Sequence, residues 1–209
     1  MAGSAASTKS CSPGLPAEPV VIVYLHGFNS SPSSNKARTM ARYLEERGLG
    51  DRFACPALPH RPEEAIALVE GLIAGFGNRE FTVVGSSLGG FYATWLAEKY
   101  ACRAILIQPA VVPHVGLEAY LGLQKNLYTG AEYELTRAHL DGWRALCVDA
   151  IDPERYLLLL ETGDEVLDYR EAVSKYEGAR MVIRRGGDHM LQSFPEHLPR
   201  MLAFAGLTS

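Results

Sequence analysis

The sequence lacks the features typical of membrane-spanning, secreted and nucleic-acid-binding proteins. No apolar stretch approaches the roughly 20 residues needed to span a bilayer, and the first residues contain no apolar signal-peptide core. The formal net charge is −4, whereas nucleic-acid-binding domains usually carry a basic excess. We therefore expect neither a membrane nor a nucleic acid as partner.

Cysteine is scarce, and its spacing suggests no metal site. The four cysteines form no Cys-x-x-Cys pair, and three of them lie in apolar surroundings typical of small core residues. This pattern fits a reducing compartment and predicts a cytoplasmic location. The histidines outside the candidate site have no carboxylate or cysteine at ligand spacing, so no metal is expected. The cysteines are Cys11, Cys55, Cys102 and Cys147, and these histidines are His60, His114, His139 and His197.

After residues 1–18, which are rich in small residues and read as a flexible leader, apolar strand patterns alternate with amphipathic helix patterns. This alternation predicts a single α/β domain over residues 19–209, with about six mostly parallel strands and helices on both faces. The predicted strands are Val20–Leu25, Arg52–Leu58, Phe81–Val84, Arg103–Ile107, Tyr156–Glu161 and Arg180–Arg184. The predicted helices are Ser34–Arg47, Arg61–Ile73, Leu88–Tyr100, Asp168–Tyr176 and Leu191–Phe204.

Residues 110–152 interrupt the alternation. The segment carries no strong strand signal and is rich in large apolar side chains. A structureless loop of this length is uncommon in a compact domain. We expect a short helical cap inserted after the fourth strand, and the alternative is a set of helices that completes the core elsewhere.

The run Gly85-Ser86-Ser87-Leu88-Gly89 stands between a predicted strand and a predicted helix. A Gly-x-Ser-x-Gly sequence at such a turn holds a nucleophilic serine at the edge of a sheet. The pentapeptide alone is a weak signal, but its strand-to-helix context predicts Ser87 as a nucleophile.

A serine hydroxyl needs a base, and in this architecture the acid and the base follow in the order Ser, Asp or Glu, then His. Asp164 and His189 each follow a predicted strand through a glycine-containing loop. We predict His189 as the base and Asp164 as the residue that orients it. Asp168 and Glu165 are the competing carboxylates, although Asp168 also stands where a helix N-cap is expected.

The oxyanion of a tetrahedral intermediate requires preorganised donors. We expect them to be the backbone N–H groups of Leu88 and Phe28, the latter in the loop after the first strand. His26, Asn29 and Ser30 are candidate substrate-contacting residues at the same loop. His26 is expected mainly to hold the loop by hydrogen bonds, and a polar rim would equally explain Asn29 and Ser30.

Four segments resemble the α/β-hydrolase superfamily and, more closely, the small bacterial YqiA-like esterases. The similarity runs from about Val21 to Leu207 and implies hydrolysis of a carboxylic ester or thioester without a cofactor. It would assign nucleophile, acid and base to Ser87, Asp164 and His189. The segments are Tyr24–Pro32, Val84–Ala97, Thr162–Arg170 and Gly186–Phe194.

The chain departs from that family pattern at the edge of the candidate site. Gln108 stands where an Asn often precedes Pro-Ala, and Asp188 stands where an Asn often precedes the histidine. Met190 and Leu191 replace a usual Ala-Phe pair. These differences bear on substrate preference more than on the chemistry.

We therefore expect a serine esterase that acts on a small-molecule ester through an acyl-enzyme on Ser87. One alternative is a thioesterase acting on acyl-CoA, which a basic pocket would favour, although Lys36, Arg38 and Arg42 equally fit a solvated helix face. Another is a catalytically silent binding protein of the same fold.

Overall fold

The computed structural model describes residues 20–207 and contains a six-stranded sheet in which every neighbouring pair is parallel. The predicted leader and Cys11 lie outside the described residues. The strands are β1 (Val21–Leu25), β2 (Phe53–Ala54), β3 (Phe81–Ser86), β4 (Arg103–Ile107), β7 (Tyr156–Glu161) and β8 (Arg180–Arg184), in the order β2-β1-β3-β4-β7-β8.

Helices cover both faces of this sheet, as predicted. Successive residues of β1 enter different cores: Ile22 packs with the first and last helices of the chain, whereas Val23 packs with the second and third. A continuous apolar run is therefore required, because both faces of each central strand are buried. The helices are α1 (Asn35–Glu45), α2 (Pro62–Ala74), α3 (Leu88–Tyr100), α4 (Pro113–Gly116), α5 (Arg137–Ala145), α6 (Tyr169–Lys175) and α7 (Phe194–Ala205).

The second strand and the last helix differ from expectation for identifiable reasons. The strand predicted over Arg52–Leu58 pairs only at Phe53–Ala54, because the prolines that follow cannot donate to a ladder. The last helix was expected from Leu191 but begins at Phe194, since Leu191 has a positive φ of 50° that interrupts helical geometry.

The prediction of a short helical cap in residues 110–152 is wrong in one part, because the segment also contains two strands. Between α4 and α5 the chain forms an antiparallel hairpin of β5 (Gly122–Lys125) and β6 (Glu132–Leu135). Asn126 stabilises the turn, because its Oδ1 accepts hydrogen bonds from the amides of Tyr128 and Thr129. Two of the large apolar side chains of the segment are exposed on this hairpin, Leu123 at 74% and Leu127 at 81%.

Helix α5, unlike the hairpin, has large apolar side chains that are buried. Leu140 and Trp143 are buried in the core formed with α2 and α3, and the Trp143 Nε1–H donates to the hydroxyl of Tyr92. The second half of the segment therefore completes the core, which was the alternative left open by the sequence.

No helix within residues 20–207 combines the length and the hydropathy needed to cross a bilayer. Cys55, Cys102 and Cys147 are half-buried free thiols. Burial raises the pKa of Cys55 and that of Cys102 to about 12 in each case.

Candidate active site

Ser87 occupies a strained turn between β3 and α3. Its φ of 55° and ψ of −121° lie in a region that a residue with a Cβ rarely adopts. The surrounding structure holds it there, since the Ser87 amide donates to Ile107 and its carbonyl accepts from Ala110.

Two glycines allow this turn to pack against the sheet. A Cβ on Gly85 would lie 2.2 Å from the carbonyl oxygen of Gly89, and a Cβ on Gly89 would lie 2.0 Å from that of Leu25. Both contacts are with backbone atoms, which cannot rotate away. The glycines predicted to permit the turn are therefore required by sterics at these positions.

The loops after β7 and β8 bring Asp164 and His189 together. Nδ1 of His189 lies 3.0 Å from Oδ1 and 2.9 Å from Oδ2 of Asp164. The Asp164 side chain is 1% exposed, and its Oδ1 also accepts from the amides of Val166 and Leu167. Burial alone would raise the pKa of Asp164, but these hydrogen bonds outweigh it and hold that pKa below its usual range.

The competing carboxylates have other partners. Asp168 caps α6 by accepting from the Arg170 amide and also pairs with the Arg170 guanidinium. Glu165 accepts the backbone N–H of His189 through Oε2. His189 is thus held at its ring by Asp164 and at its backbone by Glu165.

Ser87 and His189 line the same two cavities, but their side chains make no hydrogen bond among the described contacts. The Ser87 hydroxyl lies on the side of the loop after β1, since a Cβ on Gly27 would be 3.7 Å from Oγ. Catalytic hydrogen bonds are often long in free enzymes and tighten only when substrate binds.

The two expected oxyanion donors border the serine. Phe28 and Leu88 both line the larger cavity at Ser87, and Phe28 also lines the smaller one. Leu88 is the first residue of α3, where the helix dipole favours negative charge. Within residues 20–207 neither amide donates a hydrogen bond to another residue, so both remain available to an oxygen of a substrate.

The loop after β1 is held by its own polar side chains. Nε2 of His26 accepts the Leu58 amide, and Nδ1 contacts the carbonyl of Gly27 at 3.1 Å. Both ring nitrogens therefore contact backbone groups, one within this loop and one in the segment after β2, and burial lowers the pKa of His26.

Asn29 connects this loop to the hairpin. Its Nδ2 donates to Gln124, and its Oδ1 accepts from the Tyr133 hydroxyl at 2.7 Å. Ser30 lines the cavities at the loop and accepts a hydrogen bond from Asn126 through its carbonyl. A substrate that used the Asn29 side chain would have to displace contacts with the hairpin.

Sequence reasoning missed a buried polar group behind the His189 loop. Glu161, at the end of β7, accepts from the Ser193 hydroxyl and from the Asp188 amide. Gln108 bridges the Glu161 amide and the Asp188 carbonyl from a left-handed backbone with φ 44°. The available signal was an acidic residue that closes an otherwise apolar strand.

Two cavities of different character meet at Ser87 and His189. One has a volume of about 420 Å³ and is mostly apolar. The other has a volume of about 180 Å³ and is bordered by the start of α1 and the tip of the hairpin. The apolar cavity is lined by Val111, Val112, Val115, Leu117, Tyr120, Leu167 and neighbouring residues.

Within residues 20–207 no group of three or more His, Cys, Asp or Glu side chains is arranged to hold a metal ion. The site that the structure describes contains a serine, a histidine and a carboxylate, with free backbone amides beside the serine. These are the types of group that nucleophilic acyl transfer requires.

Comparison with known proteins identifies the family. Residues 21–206 match the model of an uncharacterised protein family, UPF0227. The chain belongs to this family. A UPF0227 protein of Yersinia pseudotuberculosis is 24% identical over 189 residues, covering 90% of this chain and 99% of the relative. The predicted resemblance to YqiA-like members of the α/β-hydrolase superfamily is confirmed.

Solved structures with the same architecture are α/β hydrolases. A putative hydrolase from Agrobacterium vitis matches with a TM-score of 0.73 at 18% identity, over 90% of this chain and 88% of its own. A Paleococcus ferrophilus monoacylglycerol lipase matches with a TM-score of 0.64 at 15% identity, over 93% of this chain and 97% of its own. The predicted α/β-hydrolase fold of this UPF0227 member is confirmed.

Proposed function

We propose that this protein is a serine esterase that hydrolyses carboxylic esters through an acyl-enzyme on Ser87. The observation that carries the proposal is the Asp164–His189 pair, whose histidine lines the same two cavities as the strained Ser87. An imidazole held by a buried carboxylate beside a serine at a strand-to-helix turn is the arrangement that activates a hydroxyl.

In the proposed reaction, Nε2 of His189 is the base. Because Nδ1 of His189 is held by Asp164, Nε2 is left to accept the Ser87 proton as Oγ attacks the ester carbonyl. Collapse of the tetrahedral intermediate breaks the bond to the alcohol, which leaves with the proton from Nε2. Water then attacks the acyl-enzyme by the same proton route and releases the carboxylic acid.

The negative oxygen of each intermediate would be bound by the Phe28 and Leu88 amides. Loss of one such donor typically costs about 10²–10³-fold in kcat. The acyl group fits the apolar cavity of about 420 Å³, since such cavities bind apolar groups by excluding water. The hydrolase and lipase names of the structural neighbours agree with this reaction class.

The same attack would cleave a thioester, so an acyl-CoA thioesterase is the second candidate. Of the three basic residues that could favour it, Lys36 lines a cavity at Ser87. Arg38 and Arg42 are exposed. Rates with p-nitrophenyl esters of increasing chain length, measured beside the matching acyl-CoA thioesters, would rank the two substrate classes.

Replacement of the nucleophile tests the proposal directly. Ser87→Ala should lower the rate of p-nitrophenyl butyrate hydrolysis by at least about 10³-fold, and it should abolish labelling by a fluorophosphonate probe. Ser33→Ala, at an exposed serine of the loop before α1, is the matched control and should keep both. Hydrolysis within tenfold of wild type in Ser87→Ala would refute the assignment, and a wild-type protein without adduct would favour a silent binding role.

A further inference from the structure

The smaller cavity at Ser87 contains one basic side chain from α1. We call it the Lys36 cavity. It has a volume of about 180 Å³ and opens beside the candidate nucleophile and base. It is lined by Ser30, Ser34, Asn35, Lys36, Tyr128, Met190 and neighbouring residues together with Ser87 and His189.

Lys36 differs from the other basic residues near the start of α1. Its side chain is half-buried, and its ammonium donates to the Met190 carbonyl at 2.9 Å. Arg38 and Arg42 are exposed on the same helix, and the Arg42 side chain is 74% exposed. Lys36 therefore does not belong to a solvated helix face; it faces the cavity that contains Ser87.

The ammonium has capacity left for a ligand. An ammonium group has three N–H donors, and one of them is directed to Met190. Next to Lys36, the Ser34 hydroxyl makes no capping bond to α1 and is buried with 9% exposure. Both residues line the Lys36 cavity, so each can offer a donor to an anion bound there.

Three carboxylates lie near enough to influence Lys36. Burial lowers the pKa of Lys36, and Asp188, Asp164 and Glu161 favour its charged form. None of the three lines the Lys36 cavity. Asp164 is held by His189, and Glu161 is held by Ser193 and the Asp188 amide. Among the described residues that line the cavity, Lys36 is the only one with a formal charge at neutral pH when His26 and His189 are neutral.

We propose that the Lys36 cavity receives the leaving group of the substrate, and that Lys36 selects esters whose alcohol part carries a carboxylate. This inference rests on the proposed function and adds a substrate class to it. The division of the site supports it, because the apolar cavity suits an uncharged acyl chain and the Lys36 cavity suits a small anion. The volume of about 180 Å³ fits a compact alcohol such as a hydroxybenzoate.

Two esters of the same shape provide the test. 4-Butyryloxybenzoate and 4-butyryloxybenzamide differ in the charge of the leaving group and release 4-hydroxybenzoate or 4-hydroxybenzamide. The quantity to measure is the kcat/KM of the benzoate ester divided by that of the benzamide ester. This ratio removes effects common to both esters. Lys36→Gln should lower the ratio about tenfold, the size expected for loss of one charge-assisted contact. Lys36→Arg should keep most of the ratio, and Lys36→Glu should lower it further.

Arg38→Gln is the matched control, because it removes one positive charge from an exposed site two residues away. Its ratio should equal that of wild type. In the wild-type protein the ratio should also fall as NaCl is raised, since salt screens a partly exposed charge. This measurement needs no variant and is independent of any change in the Met190 loop.

An unchanged ratio in Lys36→Gln, or an equal fall in Arg38→Gln, would overturn the proposal. A Lys36-dependent preference for phenyl hemisuccinate, whose charge is on the acyl side, would also contradict it. Calorimetric binding of 4-hydroxybenzoate to Ser87→Ala tests the anion site separately from the proposed role of Ser87 as nucleophile. Binding that is lost in Ser87→Ala/Lys36→Gln supports the anion site even if Ser87 were not the nucleophile.

Discussion

Nδ1 of His189 lies within 3.0 Å of both carboxylate oxygens of Asp164, which is almost fully buried. The two residues are 25 positions apart in the chain and come together because the loops after β7 and β8 leave the same edge of the sheet. Neighbouring parallel strands end at one edge, which is where sites form in open α/β sheets.

Replacing Asp164 with asparagine keeps the size and shape of the side chain but removes its negative charge, and this should impair catalysis. Asp164→Asn should lower kcat for p-nitrophenyl butyrate by about 10³–10⁴-fold, because the amide favours the wrong tautomer of His189. Asp168→Asn changes the carboxylate that caps α6 and should remain within about threefold of wild type. A large loss of kcat in Asp168→Asn and a small loss in Asp164→Asn would identify Asp168 as the carboxylate that orients His189.

The lowered pKa of Asp164 also predicts how stability depends on pH. A carboxyl whose pKa is depressed in the folded state stabilises the fold above its unfolded-state pKa of about 3.9, and that stabilisation is lost as the pH falls through the folded-state pKa. In urea unfolding, wild type should therefore exceed Asp164→Asn in unfolding free energy at pH 7. The difference should shrink below about pH 4.

Asp51→Asn, at an exposed aspartate of the loop before β2, supplies the control for acid unfolding. The difference in unfolding free energy between Asp51→Asn and wild type should stay small over the same pH range. If the difference in unfolding free energy between wild type and Asp164→Asn grows toward low pH, the predicted pH dependence is wrong.

Two glycine-to-alanine changes should have opposite effects on stability. Gly89→Ala places a Cβ 2.0 Å from the Leu25 carbonyl oxygen, so α3 must move away from β1 at a cost of about 1–3 kcal/mol or more. Gly71→Ala meets no atom within 4 Å in the interior of α2, and it should stabilise the protein by roughly 0.5–1 kcal/mol. Thermal or urea unfolding checks both, and a tolerated Gly89→Ala would show that the contact is not required.

The apolar cavity should set the accepted acyl length. Val111→Trp would fill part of this cavity, so long acyl chains should lose burial worth about 0.8 kcal/mol per methylene. The ratio of kcat/KM for p-nitrophenyl octanoate over acetate should fall roughly tenfold. Leu68→Trp, on the exposed face of α2, should leave the ratio unchanged. If Val111→Trp leaves it unchanged too, the acyl chain binds elsewhere.

Local patterns predicted most of the sheet and nominated the residues of the candidate site. The runs in β1 and β7 are apolar at every position because both faces are buried, and such runs are readable without a structure. The turn at Ser87 was readable because its glycines and the change from strand to helix are adjacent in sequence. Asp164 and His189 followed from their order behind later strands.

The hairpin and Lys36 could not be read in the same way. Leu123 and Leu127 suggested buried helical positions, but hydrophobicity does not reveal whether a partner surface is available to cover them. Lys36 looked like one of three basic residues on a helix face. Its role depends on the direction of α1 relative to the His189 loop, which lies 154 positions away at Met190.

The sequence by itself determined the alternation of strands and helices in the six-stranded sheet and the turn at Ser87, because each depends on residues close together in the chain, and it nominated Asp164 and His189 through their order behind later strands. Only the tertiary structure decided which side chains share a cavity with Ser87, how the hairpin meets the loop after β1, and where the Lys36 ammonium points. Those properties depend on the packing of distant segments, and the periodicity of one segment carries no information about the position of another.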